Sequence, residues 1–349
     1  MVSNHRMDTR NNRGVTSVLP TFWGLGIEEE LGSDASPVCS RKKLVIDHDG
    51  GADDAFAITI SLLNEEYFNG PELIALTTTF GNVNLTQANI NSDRILRVSQ
   101  RRDIPIYSGA NKAFIENMGT DGFFGVDGLG DTSYQPPNSI DIEKQPAAVA
   151  LIELSKKYEG ELIVVAIGPV TNIALAVKLD PQFINRLSQL YVGGGHIYSE
   201  EYPKAEFNVA MDPEAYHIVV DNATTDKVTI IPFSQVKESL KIPIDWRLDV
   251  LGAINTPIMK ALNLYEQVAL PKEKVWNLLD PAVAAIALYN EIVDEFKNTN
   301  NTIILEGAKR GINTNDFSSS DPNARVVYKG NVEYYKKFLL DVYSAELNP

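Results

Sequence analysis

Residues 43–63, KLVIDHDGGADDAFAITISLL, decide the fold of this chain. They open on a short run of β-forming apolar residues, Leu44, Val45 and Ile46. Four carboxylates follow within eight positions: Asp47, Asp49, Asp53 and Asp54, with Gly50 and Gly51 between the pairs. An apolar run from 55 to 63 with helical character closes the stretch. The pattern is strand, glycine turn, helix. Asp47 and Asp49 are two apart, so on an extended chain they point to one face. Asp53 and Asp54 open the helix, where the N-terminal dipole tolerates negative charge. That dipole does not neutralise four carboxylates in one turn, and like charges this close raise one another's pKa. A bound divalent cation is the simplest remedy, and all-oxygen ligands favour calcium or magnesium over zinc. The plainer alternative is an acidic helix cap on a solvated turn. The position favours the cation, because α/β folds build their sites at strand C-termini.

The same alternation continues outward. Strands are expected at 73–80, 104–107, 161–167, 187–192 and 227–232. Helices are expected at 89–99, 171–177, 213–220 and 281–289, the last with Pro281 in its first turn. Alternation of this kind predicts an α/β fold: a mostly parallel, open, Rossmann-related sheet with helices on both faces. No linker interrupts it after residue 43, so 43–349 are expected to form a single domain. Residues 1–42 lack periodicity and are expected to be a disordered N-terminal tail.

Composition narrows the partners. The 349 residues carry 46 acidic against 31 basic side chains, a formal net charge of −15. A nucleic-acid partner needs a basic footprint, so none is expected, and an anionic membrane surface is disfavoured for the same reason. The single cysteine, Cys39, allows neither an internal disulfide framework nor a cysteine metal cluster. No apolar run is long enough for a membrane span and the N-terminus lacks an apolar h-region, so a cytoplasmic protein is expected.

Further candidates sit at strand ends. Gly81-Asn82 is ordinarily a turn, but its amide could reach the acidic loop. Gly168-Pro169-Val170-Thr171-Asn172 is a βα connection, with Thr171 or Asn172 as a helix cap or with a backbone carbonyl turned to a cation. Gly193-Gly194-Gly195 lets backbone approach a ligand closely. Glu206 and Asn208 flank Phe207 and could face one pocket on an extended chain; an exposed loop is the alternative. Residues 123–131, FFGVDGLGD, form a glycine-rich aromatic loop in which Asp127 and Asp131 shape the backbone. Asp280 before Pro281 is, on local grounds, an N-cap.

The opening stretch resembles the signature of the inosine-uridine preferring nucleoside hydrolases, D-x-D-x-G-x-D-D after a first strand. The elements just quoted, together with Asp212-Pro213-Glu214-Ala215, are similar to that family's G-N, G-P-x-T-N, G-G-x, A-E-F-N, D-P-E-A and D-P elements, in the same order. The resemblance implies calcium-dependent hydrolysis of the N-glycosidic bond of ribonucleosides. It implies a cation held by Asp49, Asp54, the Ile167 carbonyl and Asp280, with Asp49 as general base. It implies ribose binding by Asp53, Asn82, Glu206 and Asn208. Two positions depart from the family pattern: Phe124 stands where many members have histidine, and Leu279 where many have histidine or tryptophan before the aspartate. Stacking of the leaving base on Phe124 or Trp276 is therefore expected in place of a side-chain acid, with purines accepted. A small-molecule nucleoside substrate and a homodimer or homotetramer are expected. Two rivals stand beside this reading. Asp47-His48-Asp49-Gly50 also resembles the opening of haloacid-dehalogenase-type phosphatases, with Asp47 as nucleophile. The missing histidines also suit a non-catalytic nucleoside- or ribose-binding protein.

Overall fold

The computed structural model describes residues 41–198 and 200–347. Cys39 and the expected tail as far as residue 40 lie outside the described residues. Among the described residues eleven strands are formed: β1 Lys43–His48, β2 Glu72–Thr78, β3 Ile106–Ser108, β4 Leu162–Ala166, β5 Gln189–Gly193, β6 Val228–Ile231, β7 Ile242–Pro243, β8 Val275–Trp276, β9 Val293–Ile303, β10 Asn313–Asp316 and β11 Ala324–Gly330. Nine of them build one sheet in the order β10-β9-β11-β6-β5-β4-β1-β2-β3; β7 and β8 pair separately. From β3 across to β11 every pairing is parallel, and at the edge β9 pairs antiparallel with both β11 and β10. The chain leaves β1 toward β2 and β3 on one side, then returns to place β4, β5 and β6 on the other. A crevice opens at such a reversal, beyond the C-terminal strand ends.

Both faces of the sheet are covered, which is why its central strands are apolar without alternation. Leu44 and Ile46 of β1 enter one layer and Val45 enters the other. The first layer holds α1 (Ala52–Phe68) and the helices Pro257–Tyr265, Leu279–Leu288 and Val332–Ser344. The second holds α3 (Ala147–Lys157), α4 (Thr171–Leu179), α5 (Phe183–Arg186) and α7 (Pro213–Asp221). Helix α2 (Leu85–Val98) adds Ile95 and Leu96 to the first layer, and the short α6 (Phe207–Met211) precedes α7. Helix α1 is sandwiched and packs closely on the Leu279–Leu288 helix. Its Phe56 is fully buried, edge-on to Trp276 with centroids 5.4 Å apart. Full burial of such a side chain stabilises by about 2–3 kcal/mol. Beneath it Glu266 accepts from Arg247 Nε at 2.8 Å and from Trp276 Nε1 at 2.6 Å, all three side chains being buried. Removing one partner of such a buried pair costs about 3–5 kcal/mol.

Expected and observed elements differ in places. The expected 281–289 helix begins at Leu279, so Asp280 lies within its first turn and Leu278 occupies the cap, not Asp280. Helix α2 starts at Leu85 because Asn84 caps it, its Oδ1 accepting from Gln87 N–H at 3.0 Å. The edge strands β9, β10 and β11 were not expected. Residues 298–301, NTNN, are poor strand formers on propensity. Tertiary pairing overrides this: Asn301 Nδ2 donates to Asn315 Oδ1 at 2.9 Å and Asn301 Oδ1 accepts from Tyr216 at 3.0 Å.

Candidate active site

The turn after β1 is folded by Asp54. Its Oδ1 accepts from Asp49 N–H at 3.1 Å and its Oδ2 from Gly51 N–H at 2.5 Å. Asp49 Oδ2 accepts from Asn82 N–H at 2.8 Å, joining the β1 turn to the one after β2. This approach requires Gly81, since a Cβ there would stand 1.9 Å from Asp49 Oδ2. Asp47 serves elsewhere: Oδ1 accepts from Thr77 Oγ1 at 2.6 Å and Asn172 Nδ2 at 2.8 Å, tying β1 to β2 and to the start of α4. Asn172 also receives Ala110 N–H at 2.8 Å, so the G-P-V-T-N element acts as a clamp. His48 is buried with Nε2 at 2.9 Å from Ser92 Oγ, and burial pushes its pKa down to about 3. It is a neutral imidazole at physiological pH.

Asp280 completes an acidic floor. Carboxylate oxygens of Asp53, Asp54 and Asp280 come within 4.8 Å of one another. Burial pushes Asp49 up to about 8, with the charge of Asp53 adding to it. Burial likewise raises Asp53, Asp54 and Asp280 well above the ordinary carboxylate range, each opposed further by its acidic neighbours. Asp49 Oδ1 and Asp53 Oδ1 are buried without a hydrogen-bond partner. Orphaned oxygens beside a converging trio made of carboxylates alone fit a hard divalent cation; the His48 Nδ1 lies 3.7 Å from Asp54 Oδ1. The converging trio brings Asp53 together with Asp54 and Asp280, and Asp49 is joined to it through its main-chain N–H to Asp54.

A cavity of about 220 Å³ lies over this floor. Asp53, Asn82, Ile167, Glu206, Asn208, Phe124 and Asp280 all line it, drawn from six separate stretches of chain. Glu206 and Asn208 are not on an extended segment as their spacing suggested. Glu206 caps α6, accepting from Asn208 N–H at 3.1 Å and Val209 N–H at 3.2 Å, and also from Gly195 N–H at 2.9 Å. Asn208 Nδ2 then donates to the Ile167 and Gly193 carbonyls, each at 3.1 Å. The loop after β5 is held by Asn313, which accepts from His196 N–H at 2.8 Å and returns a bond to its carbonyl at 2.9 Å. Asp127 and Asp131 bond the amides of their own loop.

The inosine-uridine preferring nucleoside hydrolase family model matches residues 44–337. The chain belongs to this family. It is 42% identical to the probable uridine nucleosidase 2 of Arabidopsis thaliana over 186 residues, 51% of this chain and 56% of that protein. It is 28% identical to the inosine-uridine preferring nucleoside hydrolase of Leishmania major over 312 residues, 87% of this chain and 98% of that protein. Among solved structures, an inosine-guanosine nucleoside hydrolase superposes with a TM-score of 0.78 at 25% identity, covering 87% of this chain and 99% of the other.

As a nucleoside hydrolase family member this chain departs from the common pattern at the cavity wall. Phe124 lines the cavity and packs edge-on against Phe123, centroids 4.8 Å apart; Leu279 also lines it. Trp276 does not. The expectation that it stacks on the leaving base is corrected: its side chain is 2% exposed, bonded to Glu266 and wedged between Phe56 and Tyr335. The Glu266–Arg247 pair satisfies the indole N–H in the core, a partnership invisible in local sequence. Other wall residues were missed altogether, among them Phe233, Lys237, Glu273 and Asn277. The one available signal for Phe233 and Lys237 was their place just after β6, at the same rim of the sheet.

Proposed function

We propose that residues 43–349 form the catalytic domain of a calcium-dependent ribonucleoside hydrolase that releases ribose and a free base. The observation that carries this is the convergence of Asp53, Asp54 and Asp280 at the floor of a cavity walled by carboxylate and amide side chains. A calcium ion held by Asp49, Asp54, the Ile167 carbonyl and Asp280 would keep these carboxylates ionised, orient the sugar's vicinal hydroxyls and polarise a water. Asp49 Oδ1, which no protein donor occupies, takes the proton of the attacking water as general base. Asp53, Asn82 and Asn208 hold the ribose. Glu206 adds a buried carboxylate at the same wall, so negative charge faces the cationic sugar that develops as the glycosidic bond stretches. Phe124, backed by Phe123, stacks on the base; this aromatic surface supports acceptance of purines.

The phosphatase alternative makes Asp47 the nucleophile. Against it, one Asp47 oxygen is spent on Thr77 and Asn172, bonds that tie β1 to β2 and to α4. The test is a panel of purine and pyrimidine nucleosides assayed for free base, with and without chelator. Base release that disappears on chelation and returns with calcium is expected. Tight nucleoside binding with no turnover would instead mark a binding protein.

A further inference from the structure

The cavity wall contains five carboxylates and one cation among the described residues: Asp53, Asp121, Glu206, Glu273 and Asp280 against Lys237. Lys237 follows β6 in the turn Val236–Leu240. Among the described residues no hydrogen bond or ion pair holds its ammonium. It rests over the Phe233 ring, 4.2 Å from the centroid. Phe233 in turn stacks on His196, centroids 6.3 Å apart and planes 17° from parallel, so the platform beneath the lysine is fixed. Lys272, on the same rim, is spent: its Nζ donates to the Phe123 carbonyl at 2.8 Å.

The sugar half of the cavity needs no further cation. Its floor is acidic, and Glu206 is satisfied by three backbone amides. The base half is aromatic, with Phe123, Phe124 and Phe233, none of which can donate a proton. An ammonium offers three donors and no acceptor. Over an aromatic platform at the edge of a flat pocket, it faces the rim of a stacked heterocycle. Burial raises the Glu206 pKa and lowers that of His196, and the charge of Lys237 adds a smaller downward push on both, in keeping with an ammonium at this wall.

Resting on the hydrolase reading above, we propose that Lys237 is the proton donor to the departing nucleobase. Cleavage of the C1′–N bond leaves its electron pair on the base nitrogen and positive charge at C1′. The water oxygen bonds to C1′ and loses a proton to Asp49, while the Lys237 ammonium gives one proton to a ring nitrogen or carbonyl oxygen of the base. One proton is taken and one is given, and solvent returns the first to the lysine.

The test compares inosine and uridine with p-nitrophenyl riboside, whose nitrophenolate departs without protonation. In Lys237→Gln, kcat on the nucleosides falls by about a hundred-fold, and by at least ten-fold more than on the aryl riboside. Lys237→Arg keeps the charge but holds its protons too tightly to give one up, so the larger loss on the nucleosides persists. Equal losses on both substrate classes, or no loss on either, overturn the proposal. Should Lys237→Gln fail to fold, the same comparison on Lys237→Arg decides, since equal losses there also overturn it. A wild-type protein inert toward all three substrates overturns the hydrolase reading itself, which separates that failure from failure of the lysine assignment.

Discussion

Asp49 donates its main-chain N–H to Asp54 Oδ1 at 3.1 Å while its own Oδ2 accepts from Asn82, leaving its Oδ1 buried and unpaired. The turn is thus held by one carboxylate so that another can keep an oxygen uncommitted. Asp49→Ala removes that oxygen without touching the bonds from Asp54 that fold the turn. We expect hydrolysis to fall by about 10³-fold or more, with the far-UV circular dichroism of the wild type. Full activity in this variant would end the assignment of Asp49 as base.

Asp280 reaches the floor from a helix distant in sequence, and nothing else bonds its side chain among the described residues. Asp280→Ala therefore leaves the strand-end turns intact and removes one convergent oxygen ligand. Calcium affinity is expected to fall by at least about ten-fold by calorimetry. Unchanged affinity would remove Asp280 from the cation's ligands.

Asp47 and Asp49 have folded-state pKa values raised by burial to about 7 and about 8. Protonated, these groups do not oppose folding; ionised without a cation, they do. Below the unfolded carboxylate range the stabilising effect of proton uptake is fully present, and it is lost as pH rises through the folded values. Chelated protein is therefore expected to lose melting temperature from about pH 4 to about pH 8. Calcium should raise the melting temperature more at about pH 8 than at about pH 5, because it competes with protons for the same oxygens. A calcium increment equal at both pH values would contradict a site built from these carboxylates.

Gly81 lets two turns meet. A Cβ there lies 1.9 Å from Asp49 Oδ2, so Gly81→Ala must displace the carboxylate. We expect kcat to drop about a hundred-fold, because the displaced carboxylate is the assigned general base and its bond from Asn82 N–H is disturbed with it. Steady-state kinetics on whichever nucleoside the wild type prefers reads this directly.

The sequence by itself determined the layered sheet and the acidic turn. Leu44, Val45 and Ile46 are apolar on successive positions because both faces of β1 are covered, and that signature is local. The glycines and paired aspartates of residues 47–54 are likewise local, since a turn that short brings its own carboxylates together. The strand-end elements around Asn82, Ile167, Glu206 and Asp280 could be found one by one, and all reach one cavity. What each does there was decided by tertiary structure. Glu206 and Asn208 meet through a helix cap, not through strand alternation, because three amides from two segments converge on one carboxylate. Trp276 turned inward because a buried glutamate, itself held by Arg247, satisfies its indole. Asparagine-rich β9 became a strand because partners on β10 and α7 bond its side chains. Lys237 came to the cavity only because β6 ends at the same rim as β1, and a sheet order that places those ends together is not written in any single stretch of chain.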